Sequence, residues 1–232
     1  MRVTPDMVPN ASLPRGQRPA PHRRFGLPQF AEPYPQQQDQ PVITVTGVVR
    51  HPTQIPLADL LALTDRREQC SDLHCVTTWS SLGLAWGGIS FRAVHESLTA
   101  LVEPHPLCKW IAFTGLDGYR SCVFLDDALA DDVILADTLD GLPLTCDQGA
   151  PVRLVVPALY GYKSVRHVCT IEYLLRYEPG SAKWAEHPRG RVQREERSRY
   201  LPGLLWRPIW RAALPRVRRL YQRTADVRRT TR

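Results

Sequence analysis

Five short segments constrain the fold most: KWIAFTG (109–115), YRSCVFL (119–125), VILAD (133–137), PVRLVVP (151–157) and RHVCTIEYL (166–174). Each is rich in β-branched or aromatic residues and bounded by Gly, Pro or Asp, the composition of strands. A sixth, PVITVTGVVR (41–50), alternates as a half-buried strand does. Two helices are predicted, PLADLLALT (56–64) with Pro56 near its N-terminus and FRAVHESLTALV (91–102). Strands outnumber helices and do not alternate with them regularly. That pattern predicts an α+β fold with a mixed, partly barrel-like sheet and argues against a doubly wound one. No internal repeat is visible.

A chain of 232 residues, 43% hydrophobic, can bury one sizeable core. Residues 1–40, rich in Pro, Gln and Arg, read as an extended arm in which RRFGLPQF docks. Residues 41–188 read as the domain and 189–232 as a basic tail. From Arg189 onward fourteen arginines face three acids, a surplus of +11 against +7 for the whole chain, so residues 1–188 carry −4. The basicity therefore belongs to the tail, and no nucleic-acid partner is assigned. The tail's interleaved Arg, Leu, Trp and Tyr suit a basic amphipathic helix broken at Pro208 and Pro215. Two roles stand level: contact with an anionic membrane face or an acidic protein, and an unstructured solubilising extension.

No run approaches the ~18–20 apolar residues of a membrane span, and Arg23-Arg24 is not followed by an apolar segment, so the chain is expected in the cytoplasm, peripheral to the membrane if the tail docks there. Six cysteines at irregular spacings, several inside apolar runs, are expected to be reduced.

DLHCVTTWSSLGLAWGG (72–88) sets Cys75 after a strand-like approach and before a Trp-Ser pair and a Gly-Gly turn. A thiolate is a soft ligand. Cys70, His74 and Cys75 form a C-x3-H-C cluster, yet neighbours on a strand point to opposite faces, which disfavours zinc. If Cys75 is a metal's single protein ligand, a cofactor must bring the other donors. In DQGAPVRLVVPALYGYKSVRHV (147–168), Arg153, Lys163 and Arg166 put three cations within fourteen residues. Such a set suits a phosphate, or is merely solvated. His74 is read as structural. Trp79, Trp86 and Trp110 are read as core or pocket wall, and Asp117 and Tyr119 equally as a turn at a pocket mouth or a proton route.

Taken together, HCVTTWS, WGGISFRAV, KWIAFTG and GAPVRLVVPALYGYKSVRHVCTIE, in this order, resemble the molybdopterin-binding domain of the sulfite oxidase superfamily. The likeness runs from about Arg24 to Glu172 and is strongest to small bacterial members and the methionine sulfoxide reductase branch. It implies Mo-molybdopterin as cofactor, with Cys75 as the metal ligand and catalytic residue. It also implies cofactor contacts from Arg153, Lys163, Ser164, Val165 and Arg166. Gln148 stands where the reductases carry Asn, Thr114 takes a Thr position that otherwise falls on Gly115, and Arg24 in RRFGLP matches an arginine of the sulfite oxidases.

Where sulfite oxidases continue CAGNRR, this chain reads CVTTWS, and Trp79 replaces the first arginine. An aromatic wall favours an uncharged, small-molecule substrate such as a sulfoxide or N-oxide, exchanged by oxygen-atom transfer. Sulfite oxidation and a non-catalytic binding module are the alternatives. With no haem or iron–sulfur motif in the sequence, a separate electron-transfer partner is required.

Overall fold

The computed structural model describes residues 13–230 except 33, 37, 184 and 185, with side chains through residue 225. In chain order the elements are β1 (Arg18–Pro19), β2 (Val42–Gly47), β3 (Thr53–Pro56), α1 (Leu57–Leu61), β4 (Arg66–Cys75), β5 (Trp79–Ser90), α2 (Phe91–Val102), β6 (Trp110–Gly115), β7 (Arg120–Phe124), α3 (Leu125–Ala128), β8 (Ile134–Leu139), β9 (Leu142–Pro143), β10 (Arg153–Val155), β11 (Val168–Leu174) and α4 (Gly203–Thr230).

The strands form two open sheets, so the fold is α+β with mixed sheets and no closed barrel. One sheet runs β3-β2-β11-β6-β7, with β11 parallel to β2 and antiparallel to β6. The other runs β1-β5-β8-β10, with β4 added on β5 and β9 on β8. A single apolar cluster joins them: Ile43, Ile111, Phe113 and Ile171 from the first sheet pack with Ile89, Leu135 and Leu154 from the second. On α2, Phe91, Val94, Leu98 and Val102 fall at helical spacing and are all buried in that cluster. Each such side chain contributes about 1.5–3 kcal/mol by leaving water.

Two local expectations are corrected. Gly87-Gly88 is not a turn: both residues lie inside β5, where the register against β8 shifts. A side chain on Gly88 would collide with the Leu135 carbonyl, so glycine serves close strand approach here. The tail helix is not broken by Pro208 or Pro215, for α4 runs unbroken from Gly203 to Thr230. The two prolines are seven residues apart, two turns, and both are exposed, so the carbonyls they leave unbonded face water.

Lys163 is also not where its sequence neighbours suggest. Its side chain has no exposed surface, and Nζ donates to the Cys122 carbonyl at 2.6 Å. Burial pushes the ammonium down from 10.5 to about 8, opposed by Glu186. Between these two values the unfolded chain holds a proton that the folded one lacks, so stability rises with pH across that window and Lys163 adds no slope below it. Expected outcome: Lys163→Met removes about 3 kcal/mol of the stability gained between pH 8 and 10.5, read from urea unfolding as the difference between the two proteins' pH profiles.

Candidate functional site

The site begins at a turn. β4 ends on Cys75, β5 starts on Trp79, and the two residues are cross-strand partners, leaving three residues to reverse the chain. Thr78 closes the reversal at φ 74°, a left-handed conformation that a β-branched residue adopts at a cost of about 1–3 kcal/mol. The surroundings hold it there. Thr78 N–H donates to the Cys75 carbonyl at 3.2 Å, Arg18 N–H to the Thr78 carbonyl at 3.1 Å, and Gln17 Nε2 to the Cys75 carbonyl at 3.1 Å. From the far end of the chain, Arg197 donates to the Val76 carbonyl at 2.6 Å and to the Arg15 carbonyl at 3.2 Å. The Arg197 side chain has no exposed surface, and its charge is met by Glu195 at 3.4 Å.

The half-buried Cys75 thiol lies 3.1 Å from the Thr77 hydroxyl. Burial pushes this thiol up, opposed by the Thr77 hydrogen bonds and by Arg197 and Arg218. It lines a cavity of about 140 Å³ together with Trp79, Arg153, Ser164 and Arg166. The arm enters the same space. β1 pairs with β5 at Arg18↔Trp79, and beyond it His22, Arg23 and Phe25 line the cavity, with the Phe25 ring edge-on to Trp79 at 5.7 Å. An adjoining chamber of about 480 Å³ shares His22, Arg23 and Asp147 with the first and adds Arg24, Thr145 and Gln148.

Charge at this junction is poorly compensated. Arg153 is buried, donates once to the Gln148 carbonyl at 2.7 Å, lies 4.9 Å over Trp86, and leaves Nε with no partner. Burial, then Arg166, pushes its guanidinium down to about 9. His22 leaves both ring nitrogens unpartnered, and burial, Arg153 and Arg166 push it down to about 3, so it is neutral at pH 7. Two buried donor groups and a second arginine, with neither arginine ion-paired to the Asp117 or Asp147 carboxylate of the same lining, describe a site for an anion.

The residues singled out in the sequence divide. Cys75, Arg153, Ser164 and Arg166 meet at the cavity, the Ser164 hydroxyl also accepting from Val156 N–H at 3.1 Å. Gln148 borders the second chamber, with its Oε1 accepting from the Thr145 N–H and hydroxyl at 2.8 and 3.0 Å. Arg24 borders it too, with both terminal nitrogens on the Ala31 and Phe30 carbonyls at 2.6 and 2.9 Å. Three residues line neither chamber: Lys163, turned to Cys122; Val165, whose side chain joins the apolar core; and Thr114, which sits within β6 between β11 and β7. Asp117 and Tyr119, from the turn after β6, reach the cavity instead. The Tyr119 hydroxyl donates to the Tyr162 carbonyl at 2.7 Å, and burial raises it, so it stays protonated. His74 bonds Ser80 at 2.8 Å, and no cluster of three potential metal-ligating residues occurs among the described residues.

Sequence reasoning missed His22, Arg23 and Asp147, and also Trp210, Ala213, Leu214 and Val217 of α4, all of which line the cavity. HRRF was a visible signal, but only the β1–β5 pairing puts it beside Trp79.

The donor set fits the group that the resemblance implies. Cys75 offers the single soft ligand, and Arg153, Arg166 and Ser164 offer donors for a phosphate. His22 and Gln148 offer polar edges to a pterin. A model of the family described as oxidoreductase molybdopterin binding domain matches residues 31–182. An uncharacterized oxidoreductase, YuiH, of Bacillus subtilis is 32% identical over 64% of this chain and 72% of its own length. The protein-methionine-sulfoxide reductase catalytic subunit MsrP of Xanthomonas campestris is 29% identical over 57% of this chain, which spans only 44% of that relative. Among solved structures, the sulfane dehydrogenase SoxCD of Paracoccus pantotrophus superposes with a TM-score of 0.54 at 19% identity, covering 66% of this chain and 42% of that one, and supports the fold.

Because Arg153 is a buried cation short of a partner, an anion that binds only the folded state stabilises it. Expected outcome: pyrophosphate at ten times its Kd raises the melting temperature of cofactor-free protein by about 3–6 °C, and Arg153→Met abolishes the rise. Differential scanning fluorimetry checks both.

Proposed function

The chain belongs to the family of oxidoreductase molybdopterin-binding domains, and from that premise we propose that it reduces a small, uncharged sulfoxide or N-oxide with electrons from a separate partner. That it is an oxidoreductase with Mo-molybdopterin as its cofactor follows from the family. The substrate class rests on one observation: the wall beside Cys75 is aromatic, with Trp79 3% exposed, Phe25 edge-on to it, and Tyr119 nearby in the lining.

In the proposed reaction the S=O bond breaks, sulfur keeps the electron pair that two incoming electrons supply, and the oxygen leaves with two protons as water. The bound cofactor supplies this two-electron oxygen exchange. The chain's own residues place and insulate it. Cys75 would hold the metal, Arg153 and Arg166 would neutralise the phosphate, and Trp79 and Phe25 keep water away from the reacting face. An uncharged acceptor enters such a wall without the desolvation that a dianion suffers. Arg23, with Nε unpartnered in the same lining, is the feature that would serve sulfite instead.

Expected outcome: protein from a molybdenum-replete host carries about one Mo per chain, and Cys75→Ala loses it. With a reduced dye, wild type consumes sulfoxides or N-oxides; turnover confined to sulfite overturns the substrate class.

We further propose that the outer face of α4 rests on an anionic membrane surface from the cytoplasmic side. Exposed Leu204, Leu205 and Ile209 adjoin exposed Arg216, Arg219 and Arg223 on that face, an apolar and basic pairing suited to lipid headgroups. No helix among the described residues is long and apolar enough to cross a membrane. Expected outcome: full-length protein floats with phosphatidylserine vesicles but not with phosphatidylcholine vesicles, and Leu204→Glu/Leu205→Glu removes it from the floating fraction. Equal recovery with both lipids, or none with either, overturns the contact.

A further inference from the structure

α4 lies outside residues 31–182, the stretch that the family model covers, yet Trp210, Ala213, Leu214 and Val217 line the same cavity as Cys75. Their spacing, i, i+3, i+4 and i+7, puts all four on one stripe of the helix. Buried Trp206 and Tyr221 extend the stripe at either end.

Both ends of that stripe are pinned. At one, Arg207 pairs with Glu195 at 2.5 Å, and the same carboxylate faces the buried Arg197 beneath the Cys75 turn. At the other, the Tyr221 hydroxyl donates to the Leu27 carbonyl at 2.9 Å and its ring stacks on Phe25 at 5.7 Å. Between these anchors the apolar side chains close one side of the space beside the thiol. A sulfoxide carried on a polypeptide that approached the thiol from this side would have to bring its backbone through the position that α4 occupies.

We propose that α4, through Trp210, Leu214 and Val217, is a specificity-determining wall that admits small free sulfoxides and shuts out a methionine sulfoxide borne on a protein chain. This deepens the sulfoxide reading of the preceding subsection and rests on it. It separates this chain from the relatives named protein-methionine-sulfoxide reductases.

Two measurements on the full chain test it. In cofactor-free protein, Cys75 is alkylated with iodoacetamide and with a bulky polyethylene-glycol maleimide, and modification is read by peptide mapping. The exposed Cys70 is the internal reference. The wall predicts that the bulky reagent modifies Cys75 at least tenfold more slowly than Cys70, and that Leu214→Ala/Val217→Ala closes most of this gap without changing Cys70. Equal rates at both cysteines in wild type overturn the proposal, whatever the substrate. In the holoenzyme with a reduced dye, the same variant is expected to gain at least tenfold in kcat/KM on an oxidised, unfolded protein relative to free methionine sulfoxide; an unchanged ratio overturns it. The single variant Leu214→Ala, which spares every anchor, serves if the double variant does not fold. A wild type that reduces no sulfoxide defeats the reading of the preceding subsection, while the alkylation rates still decide the wall.

Discussion

The strained reversal between Cys75 and Trp79 is the constraint on which the site depends. A threonine at φ 74° does not keep that conformation by its own preference, so its neighbours must over-determine it. They do so with four hydrogen bonds, one of them from a guanidinium with no exposed surface. A bond from a buried charge contributes more than a neutral one, about 1.5–3 kcal/mol, enough to offset the strain at Thr78. The clamp also explains why the extremities matter. Gln17 and Arg18 come from the arm and Arg197 from the tail, so the turn that presents the thiol is assembled by segments about 180 residues apart in the chain.

Two buried cations show what distinguishes structure from function here. Lys163 and Arg153 are both enclosed and both pushed down by desolvation. Lys163, however, faces Glu186 and a carbonyl, and lines no chamber. Arg153 faces another arginine, and its Nε has no partner. The protein completes the environment of the first and leaves that of the second incomplete. Neutral His22, held beside the same arginines, adds a donor and an acceptor without adding charge.

What was legible in the sequence was local. The β-branched runs became β6, β7, β8, β10 and β11, and the buried stripe of α2 fell on the residues that its period picks out. Cys75 and Arg153 meet at the cavity from the ends of β4 and β10, and Ser164 and Arg166 from the loop that joins β10 to β11. What failed was direction and long-range contact. Thr114 lies within β6 and does not reach the cavity, which is lined instead by Asp117 and Tyr119 from the turn that follows. Lys163 shares a loop with Ser164 yet points to Cys122, 41 residues away in the chain. The prolines of α4 leave the helix continuous, and both face solvent, where water can meet the carbonyls they leave unbonded.

The same orientation of α4 ties its two faces together. Prolines and exposed arginines occupy the outer side because the inner side is spent on Trp206, Trp210, Leu214, Val217 and Tyr221. A helix is about 10 Å across, so whatever rests on the outer face lies one helix diameter from the cavity beside Cys75. Tilting the helix to release the outer face would pull Tyr221 from Leu27 and Arg207 from Glu195, and through Glu195 would loosen the charge that holds Arg197 under the turn. The cavity wall and the thiol turn thus share one carboxylate, Glu195, which accepts from both Arg207 of the helix and Arg197 beneath the turn.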